Sequence, residues 1–71
     1  MDIKILVGKR IKQLRNNLGL SQEELADIAN LDRTYITSVE CGKRNISIVN
    51  IDKITKALKV ELNEFFTFDK Y

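Results

Sequence analysis

At 71 residues, 44% of them hydrophobic and 31% charged, the chain has the size and balance of one globular domain. No apolar run approaches the roughly 20 residues of a membrane span, and an oligomeric partner is expected because so short a chain buries only roughly 60% of its unfolded surface. A lone cysteine, Cys41, excludes an intrachain disulfide, and the lack of histidine removes the usual zinc spacings, so neither metal nor cofactor is expected. The net charge of +2 identifies no partner by itself, although eight of the twelve Lys and Arg lie in residues 1–44.

The opening MDIKILVGKRIKQL has Lys4 within its apolar stretch and no small-residue cleavage site, so a cytoplasmic location is expected. Ile3, Val7, Ile11, Leu14 and Leu18 recur at helical spacing and predict an amphipathic first helix ended by Gly19. Ser21 followed three residues later by Glu24 is a capping box. It starts a second helix over about Gln22 to Ala29, with Leu25, Ile28 and Ala29 as its inward face and Asn30 as its stop. After a turn of about four residues, Asp32 is an N-cap for a third helix from Arg33 to about Glu40, with Ile36 and Val39 buried and Gly42 beyond its end.

A polar loop then leads to Ser47, the N-cap of a fourth helix whose buried stripe is Ile48, Ile51, Ile54 and Leu58. Leu62, Phe65 and Phe66 indicate a last short helix, and Thr67 to Tyr71 form a tail. The chain has no proline, repeat or low-complexity tract to mark a linker. The expected fold class is therefore all-α, a compact five-helix domain over 1–71.

The segment SQEELADIANLDRTYITSVECGKR from Ser21 to Arg44 holds the function. Two short helices that approach closely need a small residue inside the first and a turn residue tolerant of positive φ; Ala26 and Asn30 meet those needs. The third helix has apolar residues only at Ile36 and Val39, and hydrogen-bonding side chains along its outer edge. Converging acids, bases or a glycine-rich phosphate loop are absent, so an enzyme is not expected.

Through Gln22, Ala26, Asn30, Ile36, Val39 and the run Glu40-Cys41-Gly42-Lys43-Arg44, the sequence resembles the lambda-repressor-like helix-turn-helix family of the phage-Cro type, over about Lys9 to Phe66. Asn30 stands where glycine is commoner, and Ile46 where many members have proline. The resemblance implies a double-stranded DNA operator as partner and puts Arg33, Thr34 and Ser38 on the groove-facing side of the third helix. There Arg33 can donate two hydrogen bonds to a guanine and the Thr34 methyl can touch thymine. Tyr35 sits at the edge, within reach of either a base or a phosphate. Gln22, at a helix N-terminus, is a candidate phosphate anchor, as are Thr37, Lys43, Arg44 and Asn45. In the resembled family an arginine late in the first helix pairs with a glutamate ending the third, which implies a structural ion pair between Arg15 and Glu40.

One such helix reads only a few base pairs, each good pairing discriminating by about 1–3 kcal/mol, so a homodimer is expected. Four of the five aromatic residues fall in the last seven positions, and Val60, Leu62, Phe65, Phe66, Phe68 and Tyr71 are the candidate interface, with Leu62 and Phe65 also candidates for completing the core. The run LDRTYITSVECGKRNISIVNI is similar to the controller proteins of restriction-modification systems, small dimeric regulators of endonuclease expression. Such a role admits an RNA polymerase contact through Glu23, Glu24 and Asp27. The alternatives are a phage- or plasmid-type repressor, an antitoxin-like autoregulator, or a protein-interaction module without DNA binding.

Overall fold

A computed structural model describes residues 2–68 of the chain. It contains α1 (Ile3–Asn17), α2 (Gln22–Ala29), α3 (Arg33–Glu40), α4 (Ile48–Leu58) and α5 (Leu62–Phe65), with no strand among the described residues. The helix starts follow the capping signals. Asp2, Ser21, Asp32 and Ser47 each accept a backbone N–H of the first turn, a bond worth about 0.5–2 kcal/mol per helix. The capping box of α2 is complete, since the Ser21 hydroxyl accepts the Glu24 amide and Glu24 Oε1 accepts the Ser21 amide.

Each helix contributes a short arc to one core. Ile11 of α1, Leu25 of α2, Ile36 of α3, Ile54 of α4 and Phe65 of α5 are all fully buried, surrounded by Val7, Ala26, Val39 and Leu58. Close approach of α1 to α3 depends on Gly8. A Cβ there would lie 2.3 Å from the Val39 carbonyl oxygen and 2.9 Å from that of Glu40, so no larger residue fits without separating the helices. The short α5 has no side-chain cap at its start. Arg10 of α1 holds its other end, donating from Nε to the Phe65 carbonyl at 3.0 Å and from Nη2 to the Glu64 carbonyl at 2.8 Å.

Several expected core positions lie outside. Ile28 is 57% exposed, because the buried arc of α2 is centred between Leu25 and Ala26 and carries Ile28 to its margin. Ile3, Leu18 and Ile48 are also exposed: each lies at or beside a helix end, where no neighbouring helix covers the stripe. The C-terminal aromatics divide differently from the expected interface. Phe65 is wholly buried and belongs to the core, so it is not part of a surface, whereas Leu62 is exposed and does not complete the core. Val60 packs half-buried against the core. Phe66 stands edge-on to Phe65 with ring centroids 4.9 Å apart, and Phe68 edge-on to Phe66 at 6.2 Å, a file of rings that starts in the core, with Phe66 exposed and Phe68 half-buried. Tyr71 and the end of the tail lie outside the described residues.

Candidate DNA-binding surface

Three residues, Asn30, Leu31 and Asp32, make the turn between α2 and α3, one fewer than the sequence suggested. Asn30 takes the left-handed conformation (φ 58°, ψ 47°), and the Leu31 amide bonds back to the Ala26 carbonyl at 2.8 Å. Leu31 tucks against the core, and Ala26, 1% exposed, lets the helices touch. The result is an eight-residue α3 roughly 12 Å long, bedded on Ile36 and Val39, with Arg33, Thr34 and Thr37 exposed and Tyr35 and Ser38 half-buried.

The far end of α3 is anchored. Glu40, its last residue, accepts from Arg15 Nε at 2.7 Å and from Arg15 Nη2 at 3.0 Å, a bidentate pair whose side chains are 10% and 3% exposed. Arg15 Nη1 donates to the Leu20 carbonyl at 2.7 Å. The ion pair implied by the family resemblance thus forms, and the Glu40 hydrogen bond raises the Arg15 pKa above its already high ordinary value. A carboxylate at a helix C-terminus opposes the helix dipole, and Arg15 supplies the neutralising charge.

Gln22 and Thr37 enter the same network. Gln22 Nε2 donates to Glu40 Oε1 at 3.0 Å, and Gln22 Oε1 accepts the Thr37 hydroxyl at 2.9 Å. A carboxylate only accepts hydrogen bonds, so Glu40 fixes which way the Gln22 amide faces. Thr37 also lies 3.0 Å from the Arg33 carbonyl, and its single hydroxyl proton serves one of these two acceptors at a time. Gln22 keeps one amide hydrogen for an outside acceptor. No local pattern announces this arrangement, since the partners lie 15 and 18 residues away.

Past α3, Gly42 (φ 74°) reverses the chain, with its amide bonded to the Val39 carbonyl and that of Lys43 to the Ser38 carbonyl. A Cβ at Gly42 would lie 2.7 Å from Ile5 Cγ1. The turn leaves Lys43, Arg44 and Asn45 exposed, and it brings the Arg44 guanidinium over the Tyr35 ring, 5.1 Å from its centroid. Among the acidic residues of α2, Glu24 is engaged in the capping box, and that bonding lowers its pKa; Glu23 and Asp27 stand exposed. None of the described helices is long and apolar enough to cross a membrane.

A short helix laid across a second, held at its end by a buried ion pair and free along its polar outer edge, defines a helix-turn-helix domain. The helix-turn-helix family model matches residues 11–65. Over 67 residues the chain is 49% identical to the control protein C.MunI of a Mycoplasma species, covering 93% of this chain and 90% of that one. The fold matches the crystal structure of the restriction-modification controller protein C.AhdI from Aeromonas hydrophila with a TM-score of 0.89 and 45% identity, covering 93% of this chain and 100% of that one. It also matches the structure of C.Esp1396I bound to a 25 base pair operator site, with a TM-score of 0.86, 39% identity and coverage of 93% and 87%. The chain belongs to the helix-turn-helix family, and within it is similar to the restriction-modification controller proteins.

Proposed function

We propose that the chain is a sequence-specific regulator of transcription, a restriction-modification controller that reads double-stranded DNA in the major groove as a homodimer. It acts by binding rather than by catalysis, in the cytoplasm, as one domain. The observation that carries this reading is the contrast on α3: its hydrophobic residues are buried and its last residue is anchored, while Arg33 and Thr34 project outward. Arg33, Thr34, Ser38 and Tyr35 are the proposed base readers. Lys43, Arg44, Asn45 and the remaining amide hydrogen of Gln22 are the phosphate contacts, with Thr37 acting through Gln22. Glu23 and Asp27 are left for a polymerase contact.

Reading helices on successive major grooves stand about 34 Å apart, more than the 30 Å longest dimension of one protomer, so two copies are required. The proposed dimer surface keeps Leu62, Phe66, Phe68 and Tyr71 from the sequence-based set, with Val60 at its margin, and omits the buried Phe65. It adds Ile3 and Ile48, which line with Val7, Ile51 and Phe66 an apolar groove of about 290 Å³. Selection of bound duplexes from a random pool tests the whole reading. The expected result is a pseudo-palindromic site whose affinity falls steeply with salt. Absent or salt-insensitive duplex binding would instead identify a protein-interaction module. Sedimentation at micromolar concentration should give a dimer that Phe66→Asp or Ile48→Asp dissociates, and a monomeric wild type would remove the interface.

A further inference from the structure

The Tyr35 ring is held by two separate parts of the molecule. It packs half-buried against the core at the first turn of α3, while the guanidinium of Arg44, nine residues later, lies over the ring at 5.1 Å from its centroid. The left-handed Gly42 makes this return possible, and the Lys43 amide, bonded to the Ser38 carbonyl, fixes the start of the segment carrying Arg44. A planar guanidinium stacks on an aromatic face and restrains it in a way a compact ammonium does not. Half-buried Tyr35 adjoins the exposed Arg33 and Thr34, so the direction of its hydroxyl bears on what that turn reads.

We propose that Arg44 is a positioning residue for Tyr35: by stacking on the ring it sets the direction of the phenol hydroxyl and so fixes the base preference at the position Tyr35 contacts. The inference rests on the reading of α3 as the DNA-reading helix. It assigns Arg44 a part in specificity in addition to the charge it offers a phosphate. It also couples the reading helix to the loop after it, so that Tyr35 and Arg44 act as one unit.

The test compares Arg44→Lys, Tyr35→Phe and the double variant on the selected duplex and its single-base variants. Arg44→Lys keeps the positive charge, so the salt slope should stay at its wild-type value. Discrimination at one position in each half-site should fall by about two- to fivefold, the range of an exposed stacking contact. Tyr35→Phe should lower discrimination at the same position, and the double variant should lose no more than the larger single loss. Uniform weakening on all duplexes, no change at all, or additive losses at different positions would overturn the proposal. In the free protein, the Arg44 side-chain protons should show an upfield ring-current shift by NMR that Tyr35→Leu abolishes; its absence in the wild type overturns the stack. Were no duplex bound by any form, a shift still present would place the failure in the DNA-reading assignment and not in the stack.

Discussion

The two ends of α3 are built on opposite principles. At its last turn Glu40 takes three hydrogen bonds from Arg15 and Gln22, the Thr37 hydroxyl lies within bonding distance of Gln22 and of the Arg33 carbonyl, and the backbone of Val39 and Glu40 is pressed against Gly8. At its first turn the Asp32 cap and the Thr37 hydroxyl beside the Arg33 carbonyl hold the backbone, while Arg33 and Thr34 stand exposed. Solvent-exposed side chains have no internal partner to give up and can adapt to an outside one, while a committed network gives that adaptable end a fixed place to act from. Substitutions at the anchored end should therefore change stability and affinity together, and those at the free end affinity alone.

The largest effect is expected at Glu40. Its replacement by alanine leaves the Arg15 guanidinium buried beside α3 without its counter-charge, and breaking one side of such a pair costs about 3–5 kcal/mol. Small domains have total stabilities near the low end of about 5–15 kcal/mol, so Glu40→Ala should lower the melting temperature sharply and weaken operator binding in parallel. Calorimetry and a binding titration on the same sample check both halves. An unchanged melting temperature would show that the pair does not hold the helix.

Gly8→Ala comes next and isolates geometry from charge. An alanine inside α1 gains about 1 kcal/mol in helix propensity, yet its Cβ would fall 2.3 Å from a backbone oxygen that can yield only if α3 moves. Overpacking of this kind costs about 1–3 kcal/mol or more, so net destabilisation is expected in urea unfolding. A stabilised variant would mean that α1 and α3 separate easily. The sequence did not reveal this contact, because a glycine in a predicted helix reads only as a local cost.

Arg33→Ala should act at the other end of α3, with stability within about 0.5 kcal/mol of wild type because the side chain is exposed. Operator discrimination should fall by about 1–3 kcal/mol at one position per half-site. Equal weakening on every duplex would make Arg33 a phosphate contact, and a lowered melting temperature would erase the contrast between the two ends.

What was legible in the sequence follows the range of the interactions. Caps act over two or three residues, so Ser21 with Glu24, Asp32 and Ser47 marked the helix starts correctly, and Asn30 announced the left-handed stop. Periodicity identified Ile11, Leu25, Ile36, Ile54 and Leu58 as core. It could not say where a stripe outruns its cover, and Ile3, Ile28 and Ile48 were misjudged for that reason. Contacts spanning the chain had no sequence signal of their own: Arg10 on the carbonyls of α5 and Gln22 on Glu40 required the fold. The Arg15–Glu40 pair was reached only through the family resemblance.

The smallest effect concerns the start of α2, where the capping box sets the first turn of the helix that carries Gln22. Glu24 accepts the Ser21 amide, and this backbone hydrogen bond, followed by the side-chain contact with Ser21, lowers its pKa from the ordinary 4.5. A carboxylate with a lowered folded-state pKa adds stability that is fully present above its unfolded value and is lost as the pH falls through the folded one. The helix start should accordingly be intact at neutral pH and weaken only in acid below about 4.5, with Glu24→Gln removing that component of the pH dependence. Melting curves of both forms between neutral pH and that acid range check the sign. A wild type that gained stability relative to Glu24→Gln on acidification would reverse it. Because Glu24 is fully exposed and at the opposite end of α2 from the turn, its loss should leave the Arg15–Glu40 anchor in place, and operator affinity at neutral pH should change less than with any substitution on α3.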